Sequence, residues 1–454
     1  MACAHPHRTS TIIARGAPLA AVTDPQLVEM TASPTASLVL ANASTELGIR
    51  VRITASELPP ARRAALDLAL VLDTSGSMEG AAIDALRASA RALAAKLRDG
   101  DRLAVVVFHS KAEVLVPNVV IRRDNRLAID RAIAGLHATG TTDLAGGLTA
   151  GLAQLRAGYL PDGINRIVLL SDGVPNSSAQ LPALVANIRQ AGVSITSLGF
   201  GIDYDTTLMT QLARDTGGAF HYLATAAEVA TVFDAELAKM TTAVARNLQL
   251  AIEPGPGVTI AAMPGVVAGP DGKMLAAIGD LPAGEVRDLM IPITVIARGA
   301  GSTAELVQVT LTFDDVIGNS GQRTREAFVS DKTSSDPAAI ARGVVIKLEV
   351  ARIRATAAAA ILQAIMLARQ GQVQPARHGL GTAAAIVKAA AARYPELAEL
   401  VTQLAELDQE LAQIVVAQRV VRDQTPPPSA SPIPEAESRL RRAEDHASAV
   451  LRGE

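Results

Sequence analysis

Asp73, Ser75 and Ser77 put one carboxylate and two hydroxyls at alternate positions of a tight, glycine-containing turn, Asp73-Thr74-Ser75-Gly76-Ser77. The turn follows the mostly apolar run 66–72 and precedes an Ala-rich amphipathic stretch, so it sits between a strand and a helix. Hard oxygens gathered at one point suit Mg²⁺ or Mn²⁺, with Ca²⁺ as a further candidate, rather than zinc or a soft metal. Two more oxygen-bearing stretches recur downstream, Gly140-Thr141-Thr142-Asp143-Leu144 and Ser171-Asp172-Gly173-Val174-Pro175-Asn176.

The elements around these stretches bring them together. Strands are expected at 67–72, 103–108, 114–116, 166–170, 193–198 and 219–223, and helices near 79–98, 122–137, 143–156, 178–191, 205–215 and 225–241. Strands alternating with helices mean a mostly parallel sheet covered on both faces, and 103–116 would add one antiparallel edge strand by a hairpin. Ligands of such sheets bind beyond the C-terminal strand ends, where all three loops should meet.

On these residues, 66–241 closely resembles the von Willebrand factor type A domain family. The first loop has the family's Asp-x-Ser-x-Ser pattern, Thr142 matches its threonine in Gly-x-Thr-Asp-Leu, and Asp172 matches its Thr/Ser-Asp-Gly aspartate. The resemblance implies a metal-ion-dependent adhesion site held by Asp73, Ser75, Ser77, Thr142 and Asp172. It implies a Mg²⁺-dependent protein-binding module in which a partner's Asp or Glu completes the coordination, and in which movement of the last helix, here 225–241, couples to the metal. Among subfamilies the chain looks most like bacterial proteins similar to calcium-activated chloride channel regulators and inter-alpha-trypsin inhibitor heavy chains. Bacterial proteins with similar domains often accompany an AAA+ ATPase, so an adaptor for such an ATPase is the second expectation. A metal-dependent hydrolase is the third, and it lacks a well-spaced general base, so no enzymatic activity is expected.

The neighbouring polar residues have plainer readings. Asp143 is better placed to cap the following helix than to bind metal. His109, Ser110, Asn176, Asp203, Tyr204 and Asp205 fall in loops on the same edge and border the site. The seven histidines lack a zinc-protease spacing, and neither a nucleophile elbow nor a phosphate-binding loop occurs.

The rest of the chain is organised around this unit. In 454 residues, 49% apolar but only 2% aromatic, cores must be built from Ala, Leu, Val and Ile. A formal net charge of −3 gives no reason to expect nucleic acid as a partner. Cys3 is the only cysteine, so no internal disulfide can form. Without a recognisable signal peptide or an uninterrupted apolar run of about 20 residues, a cytoplasmic protein with no membrane span is the expectation. Residues 1–33 read as a poorly ordered leader. Between 244 and 330 the pattern turns to strands without long helices, too few for a sandwich unless 34–60 join them. The fold class is therefore α/β: a Rossmann-like domain at 66–241 inserted in an antiparallel β-sandwich (34–60 with 244–330). A C-terminal helical region follows at 336–422, with one long helix from Ile340 to Leu367. A linker with five prolines at 423–434 and a short helix within 435–454 complete the chain.

Overall fold

The computed structural model describes residues 27–57, 64–161, 163–171, 176–177, 179–200, 206–223, 226–269, 271–317, 321–423 and most of 440–451. The chain enters through three strands, β1 (Val28–Pro34), β2 (Leu38–Leu40) and β3 (Ser44–Ala55). It then forms the α/β unit: β4 (Leu66–Asp73), α1 (Ala81–Lys96), β5 (Arg102–Phe108), β6 (Ala112–Val120), α2 (Arg126–Ala134), α3 (Leu144–Gly158), β7 (Ile164–Ser171), α4 (Leu181–Gln190), β8 (Ser194–Phe200), α5 (Thr206–Asp215), β9 (Phe220–Leu223) and α6 (Ala226–Thr241). Its six-stranded sheet runs β6-β5-β4-β7-β8-β9, parallel except for the β5–β6 hairpin at the edge. Every residue of β4 and β7 is buried, which is why both read as nearly continuous apolar runs rather than alternating ones. Helices cover both faces: Leu86 and Leu93 of α1 pack on one side, Leu148 and Leu155 of α3 on the other.

The chain then returns to strands with β10 (Ala243–Pro254), β11 (Val258–Ile260), β12 (Val266–Ala268), β13 (Met274–Pro282), β14 (Val286–Ile296), β15 (Thr303–Asp315) and β16 (Gln322–Ser334). These combine with the entry strands into two sheets, β1-β3-β14-β11 and β12-β13-β10-β15-β16-β2. β3 pairs with β14 from Ser44↔Ile296 to Thr54↔Val286. Ile49, Val51 and Ile53 meet Leu250, Ile252, Val309 and Leu311 in a shared core. The α/β unit is thus inserted between strands of one sandwich.

Three expectations are corrected. Residues 28–33 do not belong to a poorly ordered leader, because Val28–Pro34 is a strand paired with β3; its apolar residues alternate only three times before Pro34, too weak a pattern to stand out. The sandwich is not wholly antiparallel, since β2 runs parallel to β16. The long helix from Ile340 to Leu367 is two, α7 (Pro337–Gly343) and α8 (Ile346–Arg369). At the break the backbone bonds to the sandwich instead of itself: Ser37 N donates to Gly343 O at 3.0 Å and Val345 N to Thr35 O at 2.8 Å.

Helices α9 (Val373–Ala391) and α10 (Ala398–Asp423) complete the helical region, and the described residues of 440–451 are helical. Leu380, Leu404, Leu407 and Leu411 form its core. By length and composition, 346–368 of α8 could cross a membrane, with mean hydropathy 1.5, but half of that stretch is buried in the structure. Arg352 of α8 also pairs with Glu349 at 2.7 Å and Glu46 at 3.4 Å. Those contacts are those of a core helix laid on the sandwich.

The α/β unit is fastened to the sandwich by contacts far apart in sequence. Gly217, after α5, abuts Gly279 of β13 so closely that a Cβ on Gly279 would lie 1.6 Å from Gly217 O. Arg166 of β7 pairs with Asp280 of β13 and, at 3.5 Å, with Glu236 of α6. Glu236 also faces His221 at 3.1 Å and Lys239 at 3.6 Å. Burial pushes the Glu236 pKa up, but His221, Arg166 and Lys239 outweigh that and hold it at about 2. Arg246 of β10 reaches back to Tyr159 Oη at 2.9 Å and to the Pro161 carbonyl.

At the opposite end of the sheet from the loop that follows Asp73, Asp67 is fully buried at the start of β4. Oδ1 accepts from Asn118 Nδ2 at 2.7 Å, while Oδ2 has no hydrogen-bond partner among the described residues. Burial pushes its pKa up to about 7, with Asn118 and Arg102 pulling the other way. Because the folded value lies above the unfolded one of about 3.9, this group lowers stability as pH rises through 4–7. Asp67→Asn should therefore flatten that part of the profile and stabilise the protein by on the order of 2 kcal/mol at pH 8. Urea denaturation of both proteins at pH 5 and 8 measures it; an equal decline in both would show that Asp67 is not the group responsible.

Candidate metal centre

Asp73 ends β4, the strand between β5 and β7, so its carboxylate emerges at the C-terminal edge of the sheet. It is fully buried. Oδ1 accepts the backbone N–H of Ser75 at 2.9 Å, and Oδ2 accepts Ser171 Oγ at 2.5 Å. Ser171 ends β7, the adjacent strand, so the first loop is locked to the third by a side chain not expected to take part. Burial pushes the Asp73 pKa up, and the hydrogen bonds from Ser171 and Ser75 only partly counter it. A desolvated carboxylate of this kind gains from a nearby cation.

The first loop continues as a single 3₁₀ turn, Gly76–Met78, and α1 begins only at Ala81. Ser75 is buried and Ser77 exposed, with their Oγ atoms hydrogen-bonded to each other at 3.1 Å. Two oxygens on adjacent positions of an octahedral Mg²⁺, each bound at ~2.1 Å, lie ~3.0 Å apart. The donor set and this spacing fit a hard divalent cation. Among the described residues no group of three or more His, Cys, Asp or Glu converges.

The second loop is tied to the first by backbone bonds, Gly76 N to Gly140 O at 3.0 Å and Thr139 N to Thr74 O at 2.7 Å. Gly140 has φ +73°, and a Cβ there would lie 2.4 Å from Ser110 Oγ, so glycine is required twice over. Thr142 is buried at 8% exposure. Its carbonyl accepts Asn176 N at 3.0 Å and its N–H donates to Asn176 Oδ1 at 3.4 Å. Asp143 caps α3 by accepting Gly146 N at 3.0 Å, while its own N–H donates to His109 O at 2.7 Å.

Asp73, Ser75, Ser77 and Thr142 are therefore carried by two loops hydrogen-bonded to each other. Asp172 lies outside the described residues, as do Asp203, Tyr204 and Asp205, but the strand end before Asp172 and Asn176 after it both join the cluster. His109 makes a turn contact, its Nδ1 accepting Ser110 N at 2.8 Å. Sequence reasoning missed Ser171. Its hydroxyl at the end of the strand beside β4 was the available signal.

Residues 67–235 match the family model for the von Willebrand factor type A domain. A 214-residue stretch is 29% identical to the uncharacterized protein YfbK of Escherichia coli, covering 46% of this chain and 37% of that one. Another of 162 residues is 29% identical to human inter-alpha-trypsin inhibitor heavy chain H4, covering 34% of this chain and 17% of that one. The chain thus spans less than two thirds of the length of these curated relatives. Among solved structures, the von Willebrand factor type A protein from Catenulispora acidiphila aligns over 94% of this chain and 98% of its own, at TM-score 0.66 and 19% identity. The ArnB paralog VWA2 from Sulfolobus acidocaldarius aligns over 94% of this chain and 99% of its own, at TM-score 0.57 and 15% identity. At these identities the structural likenesses establish the fold.

Proposed function

We propose that this chain, whose residues 67–235 are a von Willebrand factor type A domain, is a non-enzymatic interaction module that holds a partner protein's carboxylate at a divalent cation. Domains of this type act as protein-interaction modules in many proteins and commonly bind a divalent metal at the corresponding loops. In this chain Asp73, Ser75, Ser77, Thr142 and Asp172 would hold the ion, Mg²⁺ foremost, with Mn²⁺ or Ca²⁺ as substitutes. The observation carrying the reading is the buried Asp73 carboxylate, set at a strand end beside two hydroxyls 3.1 Å apart. Neutral hydroxyl ligands offset little of the ion's charge, so a bound Mg²⁺ would supply an electrophilic position for an anionic oxygen.

The chain's own residues perform the remaining work. Ser171 and the Ser75 amide orient the Asp73 carboxylate. Thr74 fixes the first loop to β5, donating to Phe108 O through both N at 2.8 Å and Oγ1 at 3.2 Å. The sandwich holds the domain from behind through Arg166 and Gly279, leaving the metal edge of the sheet for a partner.

Glutamate-bearing peptides arrayed on a surface test the reading. The protein should be retained in Mg²⁺, released by EDTA and retained again when Mg²⁺ is restored, with glutamine versions of the same peptides giving no retention. Equal retention in EDTA would sink the proposal.

A further inference from the structure

We propose that Asn176 is a positioning residue of the metal centre, fixing the Thr142 ligand in place and favouring Mg²⁺ over Ca²⁺ without contacting the ion. The inference rests on the metal-site reading above. Asn176 and Thr142 belong to different loops, yet two hydrogen bonds join them and a third ties Asn176 to Thr141. Asn176 N donates to Thr142 O at 3.0 Å, Asn176 Oδ1 accepts Thr142 N at 3.4 Å, and Asn176 Nδ2 donates to Thr141 Oγ1 at 3.0 Å. Ser110 closes the other side, its Oγ accepting Thr141 N at 3.1 Å and Thr141 Oγ1 at 3.3 Å. The backbone at 141–142 is thereby held between two loops, with the Thr142 side chain buried.

The side chain at 176 must accept from one group and donate to another. Asparagine does both at this length; aspartate accepts but cannot donate, and alanine has neither group. The clamp also bears on ion choice. Mg²⁺ demands near-ideal octahedral geometry at short bonds, whereas Ca²⁺ accepts six to eight oxygens over a wider range of distances. A Thr142 free to shift penalises the smaller ion more.

Calorimetric titration of the full chain with Mg²⁺ and, separately, Ca²⁺ tests this. Asn176→Ala should weaken Mg²⁺ binding about 10- to 100-fold, the range for residues that orient a ligand, and weaken Ca²⁺ binding clearly less. In a Thr142→Val background, Asn176→Ala should have little further effect. A Mg²⁺ affinity within about twofold of wild type, an equal loss for both ions, or an undiminished loss beside Thr142→Val would each overturn the proposal. A wild-type protein that bound neither ion would instead defeat the metal-site reading. Amide exchange of the metal-free protein would then decide the clamp: faster exchange at Thr142 in Asn176→Ala supports it, and unchanged exchange rejects it.

Discussion

Replacing Asp73 with asparagine should abolish Mg²⁺ binding while leaving the metal-free protein at least as stable as wild type. The two effects have one cause. The Asp73 carboxylate is fully buried and accepts hydrogen bonds from Ser75 and Ser171. Burial raises its pKa, so without an ion the charged form costs stability at neutral pH, and that cost falls as pH drops through the raised value. Asparagine removes the charge and keeps an oxygen to accept from Ser75. The metal-free variant should gain up to about 1 kcal/mol at pH 7.5. With Mg²⁺ at 100 times its Kd, wild type should gain about 2.7 kcal/mol and the variant nothing. Thermal melts with and without Mg²⁺, beside calorimetry, read both effects. A variant that binds Mg²⁺ within threefold of wild type would remove Asp73 from the site. A metal-free variant destabilised by more than about 2 kcal/mol would mean the carboxylate is chiefly structural.

Arg166→Met should destabilise the protein by about 3–5 kcal/mol, the usual penalty for stranding buried charge. Arg166 is only 5% exposed and lies between Glu236 at 3.5 Å and Asp280. Its removal leaves Glu236 with His221 and Lys239 as its charged partners beside the Thr196 hydroxyl, and Asp280 without this ion pair. The depressed Glu236 pKa contributes stability that is complete above its unfolded value of about 4.3 and lost as pH falls towards 2. The defect of the variant should accordingly shrink as pH is lowered from 7 to 4, because protonating Glu236 relieves the stranded charge. Urea titrations across that range would show it. A loss below about 1 kcal/mol, or one unchanged by pH, would mean that packing rather than charge holds the domain to the sandwich.

Much of the α/β unit was legible because its signals are local. Each buried strand is a short apolar run, each helix repeats with its own period, and ligand loops of such sheets follow strand ends. The Asp-x-Ser-x-Ser turn could be read the same way, since all three side chains come from one turn. Ser171 and Asn176 were not assigned their roles, because a serine at a strand end or an asparagine in a loop has many plausible partners. Only the pairing of β4 with β7 brings Ser171 beside Asp73. Only the meeting of two loops gives Asn176 both Thr141 and Thr142.

The amino-acid sequence by itself determined the donor set of Asp73, Ser75 and Ser77, the alternation of strands and helices around it, and the change to β-structure after residue 244. Tertiary structure decided the rest: the break between α7 and α8, the parallel pairing of β2, the contact of Gly217 with Gly279, and the buried charges around Arg166. The physical reason is the range of the forces involved. Periodicity and turn chemistry act over a few neighbouring residues and leave a trace in sequence. Close backbone approach, ion pairing and hydrogen bonds between loops join residues tens to hundreds of positions apart, and exist only once the sheets have placed them together.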